Sequence, residues 1–335
     1  MSTAVVAVEG SLRQAVSRRV LSAGDHPALD KAVAEMQAAS GGSVEAVVFF
    51  GSRRTGAARA NAWSAHDLFA VVNDYRRFYA AMHRAGRTGK RPRFMAALSR
   101  PLAPTQISLR FGEPVVHLKV SVILLPTLRR ETSSRRADHF TIGRLFQPSR
   151  ILYAASEASR TQVVDALVSA HAETWHWVRP WLPERFDADG YGRTALRVSM
   201  SWEVRPEPAG RAEALWEAQR QEQTPVFEAL LAELAGRGEL VPGAEGTFTL
   251  ARRVGWLERR RWELYFGRSM ARATLRWLKH VLSFEGWLDY IVRKASRHAG
   301  ERIELTERER RWPWIFLWGR FIRYLRNKDR RRGSG

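Results

Sequence analysis

The sequence predicts an α+β protein, with a small mixed-sheet domain, a mostly helical second domain and a basic amphipathic helix at the C-terminus. Three observations predict it. Short apolar runs at 44–50, 67–72 and 105–125 read as buried strands with helical stretches between them. From Thr161 onward, apolar residues recur at three-to-four spacing. The final residues then combine Trp and Phe with a surplus of Arg. These shifts set domain boundaries at 1–154, 155–253 and 254–335.

Taken in order, 27–39 reads as a helix, and "SGG" breaks it before the strand "VEAVVFF". A second strand, "DLFAVV", leads into the helix "DYRRFYAAMHRA". Residues 87–104 are basic and bear Pro and Gly, which predicts a loop. "TQISLRFG" and "PVVHLKVSVILL" lie so close together that a tight turn must make them an antiparallel pair. An amphipathic segment ending in the short strand "RILYA" closes the sheet domain.

The helical domain starts with "TQVVDALVSAHAETWHWVRPWL" and with "DADGYGRTALRVSMSWEV", where Asp187 is placed to cap. Helices over 211–220 and 224–235 follow, and "GELVPGAEGTFTLARR" reads as a hairpin. Helices with a hairpin make this domain winged-helix-like. Further helices span 256–297.

With 335 residues the chain can bury more than one core. It has no cysteine, which excludes disulfides, thiolate nucleophiles and Cys-ligated metal centres. The N-terminus shows no signal-peptide pattern, and no apolar run reaches the ~20 residues that span a bilayer. These features predict a cytoplasmic protein. The net charge is +21, and Arg308 to Arg332 contribute ten Lys/Arg against Glu309 and Asp329. A surplus of this size points to a solvated basic surface, or to nucleic acid, anionic lipid or a phosphorylated substrate as partner.

Chemistry concentrates in "VVFFGSRRTG" and "HDLFAVV". A Gly-Ser at a strand end offers backbone N–H groups and one hydroxyl to an anion, and an acid on the next strand can hold Mg²⁺ against that anion's oxygens. Apolar residue, Gly51, Ser52, then Asp67 within a strand resembles the pattern of the nucleotidyltransferase fold; the alternative is a plain turn. Strand alternation puts His117, Lys119 and Ser121 on one face. There Lys119 suits a phosphate, the alternative being an edge lysine in solvent.

Together, "FFGSRRTG", "HDLFAVVND", "HLKVSVILL" and "HFTIGRLFQPSRILYA" resemble the mitochondrial-type phosphatidate cytidylyltransferases, the translocator assembly and maintenance family. Gly51, Ser52, Asp67, Asp74, Lys119, Gly143, Arg144, Leu145 and Pro148 fall at corresponding places. The segment "LPERFDADGYGRTALRVSMSWEVR" continues the resemblance over most of the chain. Arg53 stands where that family has a second Gly.

The resemblance implies Mg²⁺-dependent transfer from CTP to phosphatidic acid, giving CDP-diacylglycerol and diphosphate. Gly51, Ser52 and Arg144 would bind the nucleotide, Asp67 and Asp74 the metal, and Asp67 and Lys119 would be catalytic. An attacking phosphate is already anionic, so the site needs no general base. Transfer to another phosphorylated acceptor, or non-catalytic binding of anionic membrane or RNA, are the competing functions.

In the tail, "RWPWIFLWGRFIRYLRNKDRRR" lines up Trp314, Leu317, Trp318, Phe321, Ile322 and Leu325 on one stripe, with Arg320 and Arg323 beside it. This composition suits a helix in a membrane interface, so the protein is expected to sit peripherally on the inner face of the cell membrane. Docking into the protein's own core is the alternative. Nucleic acid is disfavoured, because the aromatics share one face instead of alternating with charge.

Overall fold

The computed structural model describes residues 11–22, 24, 26–51, 53–54, 65–113, 115–202, 210–283, 292 and 305–311. Contacts divide the chain into two units, Met1–Ser283 and Phe284–Gly335. The first is α+β and holds a mixed five-stranded sheet in the order β3-β4-β2-β1-β5. Its strands are β1 (Val44–Phe50), β2 (His66–Val72), β3 (Thr105–Phe111), β4 (Val116–Leu124) and β5 (Arg150–Ala154). β1 runs antiparallel to both β2 and β5, β3 and β4 are antiparallel, and β2 and β4 are parallel.

Both faces of the sheet are covered, which explains why β1 and β2 read as continuous apolar runs instead of alternating. On one face Phe49, Leu68, Ala70, Val120 and Val122 pack against α2 (Pro27–Ala39), α3 (Tyr75–Arg84) and α4 (Pro92–Ser99). Facing the other way, Val48, Phe50, Phe69, Val71 and Ile123 join a larger core. That core draws on α1 (Leu12–Val20), α5 (Leu125–Glu131), α6 (Ile142–Leu145), α7 (Glu157–Ala172) and α8 (Thr174–Val178). It continues through α9 (Ala188–Ser201), α10 (Arg211–Gly236) and α11 (Trp256–Ser283). A small second sheet, β6-β8-β7 (Arg185–Phe186, Phe248–Leu250, Leu240–Pro242), contains the expected hairpin. Asp187 caps α9 as its sequence position implies, accepting from the Gly190 N–H at 2.7 Å.

Two expectations need correction. Residues 87–104 hold a helix, α4, because Pro92 starts it and Met95 and Ala96 are buried; the basic residues that flank it, Arg87, Lys90, Arg91 and Arg100, disguised it. Residues 211–236 form one helix instead of two, with Pro225 inside it. An internal proline costs about 3 kcal/mol, and packing on both sides of it offsets that cost. Just before Pro225, buried Gln223 accepts from Arg19 of α1 and donates to the Phe146 carbonyl at 2.7 Å.

In the second unit, Glu307–Arg311 is a helix, capped reciprocally by Thr306 and Glu309. Among the described residues no helix is long and apolar enough to cross a membrane. Trp314, Trp318, Arg320, Phe321 and Arg323 lie outside the described residues.

Gly192 faces the ring of Trp216, which would lie 2.1 Å from an added Cβ. Gly192→Ala is therefore expected to destabilise the protein by about 1–3 kcal/mol, read by urea unfolding. A second expectation concerns pH. Burial holds both His139 and His171 neutral, lowering each from 6.5 to about 3. His171 accepts from Arg19 at 2.9 Å through Nε2 and donates to the Leu167 carbonyl through Nδ1, which leaves no room for another proton. Between those values the unfolded chain takes up protons that the folded chain refuses. Stability should therefore fall as pH drops from about 6.5 towards 3, and a flat urea midpoint over that range would contradict the assignment.

Candidate functional site

β1 leaves the sheet at Gly51 beside the start of β2, because Phe50 pairs with Asp67. Gly51 has φ +86, and a Cβ there would lie 3.0 Å from Asp67 Oδ2. The first favours glycine for its backbone conformation, and the second leaves little space for a side chain. The turn is closed by the Arg54 N–H donating to the Gly51 carbonyl at 2.9 Å. Ser52 lies outside the described residues, as do 55–64.

Asp67 is directly opposite Lys119 in the parallel β2–β4 register. Lys119 Nζ stands 3.4 Å from Asp67 Oδ1, with the two side chains 34% and 28% exposed. Both project from the face that further along carries Phe69, Val71 and Ile123. At this end the face stays polar: Ser121 and Gln106 are joined at 3.4 Å, and Ser108 lies across from Lys119 on β3. His117, two residues before Lys119, has its pKa lowered by desolvation and by Arg110.

The other expected residues are placed elsewhere. Asp74 lies past the far end of β2, roughly 20 Å along the chain from Asp67 at extended-strand rise. There it caps α3, accepting from the Arg77 N–H at 2.7 Å, so the structure does not bring it to Asp67. Arg144 sits on α6 with its guanidinium 3.7 Å from the Phe140 ring and donates to the Phe140 carbonyl at 2.8 Å. Gly143, Leu145 and Pro148 are buried, and Gly143 approaches His139 and Ser199 too closely for a side chain. These three carry packing.

A cationic cluster behind the Gly51 turn is invisible in the sequence. Arg54 makes a two-pronged pair with Glu222 of α10, one arm at 3.0 Å, and its side chain is only 9% exposed. Arg150, on the strand next to β1, and Arg19 feel both Arg54 and Glu222. Burial lowers both arginines, Arg19 to about 10, with Arg54 adding to the effect and Glu222 opposing it. Glu222 thus pairs with Arg54 and offsets the charge of Arg19 and Arg150 at longer range, with Asp30 also acting on Arg150. The members of the cluster are 19, 54, 150 and 222, too far apart in sequence for any local motif to mark them.

The site can therefore receive a polyanion. Glycine backbone lies at its centre, Lys119 on one side and the arginine cluster behind the turn, with Asp67 as its acid. Among the described residues no group of three or more His, Asp or Glu is placed to hold a metal. A single carboxylate still suits Mg²⁺, which is commonly held by one or two carboxylates with substrate phosphates and water completing the shell.

An ion pair this exposed contributes less than about 1 kcal/mol to folding. Asp67→Asn is therefore expected to leave the urea midpoint almost unchanged; a large loss would assign the pair to holding the sheet together. No protein-family model matches this chain, and no curated protein matches it significantly.

Proposed function

We propose that this protein is a Mg²⁺-dependent nucleotidyltransferase that joins a nucleotide to a phosphorylated acceptor and releases diphosphate. The observation that carries the reading is the placement of Asp67 beside Lys119 on parallel strands, with the Gly51 backbone against the same carboxylate. A mixed sheet in which the acid strand lies between the Gly-Ser strand and the Lys strand supports a nucleotidyltransferase-like fold. The helices and hairpin of 155–253 support a winged-helix-like second module. CTP and phosphatidic acid are the substrates that the family resemblance favours.

Each residue has a distinct part. Gly51 lets the triphosphate approach the backbone without obstruction, and Arg54, held by Glu222, fixes the turn that presents those N–H groups. Lys119 supplies a positive charge to phosphate oxygens, as a point charge with three donors. Asp67 would hold Mg²⁺, which when bound neutralises charge on the triphosphate. Transfer to an acceptor that is already anionic rests on positioning and charge neutralisation, and the site contains groups for both.

The test is diphosphate release by purified protein with Mg²⁺, CTP and phosphatidic acid in mixed micelles, with ATP, GTP and UTP run in parallel. Release should require lipid and Mg²⁺ and should fall at least ~100-fold in Asp67→Asn and Lys119→Met. Equal release by wild type and Asp67→Asn would remove the proposal. Release from a water-soluble phosphate ester in place of phosphatidic acid would keep the chemistry and change the acceptor.

A further inference from the structure

Two adjoining clefts of about 380 and 520 Å³ open along the first half of α11, and neither is lined by Asp67 or Lys119. They share Ser134, Arg136, Arg261 and Trp262. Arg136 is internally satisfied: it pairs with Glu173 at 2.7 Å, donates to the Tyr265 hydroxyl at 3.0 Å and lies over the rings of Trp262 and Tyr265. Arg179 is likewise paired with Glu258. Arg261 and Arg268 differ. Both are exposed, neither has an ion pair among the described residues, and Arg268 donates to the Ala137 carbonyl at 3.2 Å. The lining therefore carries two cations without a counter-charge.

Leu257 and Leu264 border the same clefts and are 66% and 65% exposed. Seven residues apart, they share a helix face, which Leu275 extends, and Trp256 stands out beside them. Few large apolar residues are this exposed, and these four belong to one helix. α11 also carries seven Lys/Arg against two Glu. Uncompensated arginines beside an apolar stripe match a ligand that is anionic at one end and apolar at the other. A polynucleotide would answer the arginines but would press its charged backbone on the leucines.

We propose that this face of α11 docks on an anionic phospholipid bilayer, with a headgroup phosphate between Arg261 and Arg268 and the side chains of Trp256, Leu257 and Leu264 entering the interface. The site stands apart from Asp67 and does not depend on the nucleotidyl-transfer reading.

Because the chain has no cysteine, Leu264→Cys creates a single labelling site for an environment-sensitive fluorophore in the full-length protein. Its emission should shift to the blue with vesicles of phosphatidylcholine mixed with phosphatidylglycerol, and should not shift with phosphatidylcholine alone or with glycerol phosphate. The same label at Leu21→Cys, just past the end of α1, should stay unchanged. Adding Arg261→Glu and Arg268→Glu should weaken the vesicle response roughly 30-fold or more while leaving the circular dichroism spectrum intact. The proposal is overturned if the protein sediments with vesicles while the label at 264 stays water-like, since the contact is then made elsewhere. It is also overturned if the label is shielded before vesicles are added, if glycerol phosphate alone shifts it, or if RNA shifts it as strongly as vesicles do. Asp67→Asn should behave as wild type throughout, so the two proposals fail separately.

Discussion

The parallel pairing of β2 with β4 is the constraint on which the rest of the unit depends. Side chains alternate across a strand, so a register that sets Leu68 level with Val120 also sets Asp67 level with Lys119. Burying the first pair and presenting the second are therefore one decision. A one-residue slip of β2 would turn Asp67 into the core with Phe49 and Phe78 and bring an apolar residue to the half-exposed position opposite Lys119. The site is held in place by the free energy of the opposite face.

This arrangement also explains why both faces need cover of different kinds. Helices α2 to α4 close one side of the sheet completely. On the other, the helical region reaches across β1 and the C-terminal half of β2, leaving the start of β2 and the middle of β4 half-exposed. A site on strands that are fixed from behind keeps its geometry better than one on loops.

Much of the sheet was legible in the sequence because strand burial leaves a local mark. The runs at 44–50 and 67–72, the closeness of β3 and β4, and the Asp187 cap all depend on neighbouring residues. Gly51, Asp67 and Lys119 could be picked out for the same reason. α4 was hidden by the charged residues on either side of it, and Pro225 divided a helix on paper that Gln223 and its buried partners keep whole. Asp74 enters as a second acid only through the family resemblance, and the strand that separates it from Asp67 carries it to the far end of the sheet. The Arg19, Arg54, Arg150 and Glu222 cluster left no local mark at all, since its members meet only after the sheet and α10 have packed.

That cluster has a consequence for the empty protein. Without Glu222, Arg54 would act as an uncompensated like charge on buried Arg19 and on Arg150. Glu222 serves as a built-in counter-ion, so the chain can fold with these arginines packed behind the Gly51 turn. An anion entering beside the Gly51 turn meets a competitor already in place. Binding there would be an exchange of one negative partner for another, and Glu222 would set how readily the exchange reverses.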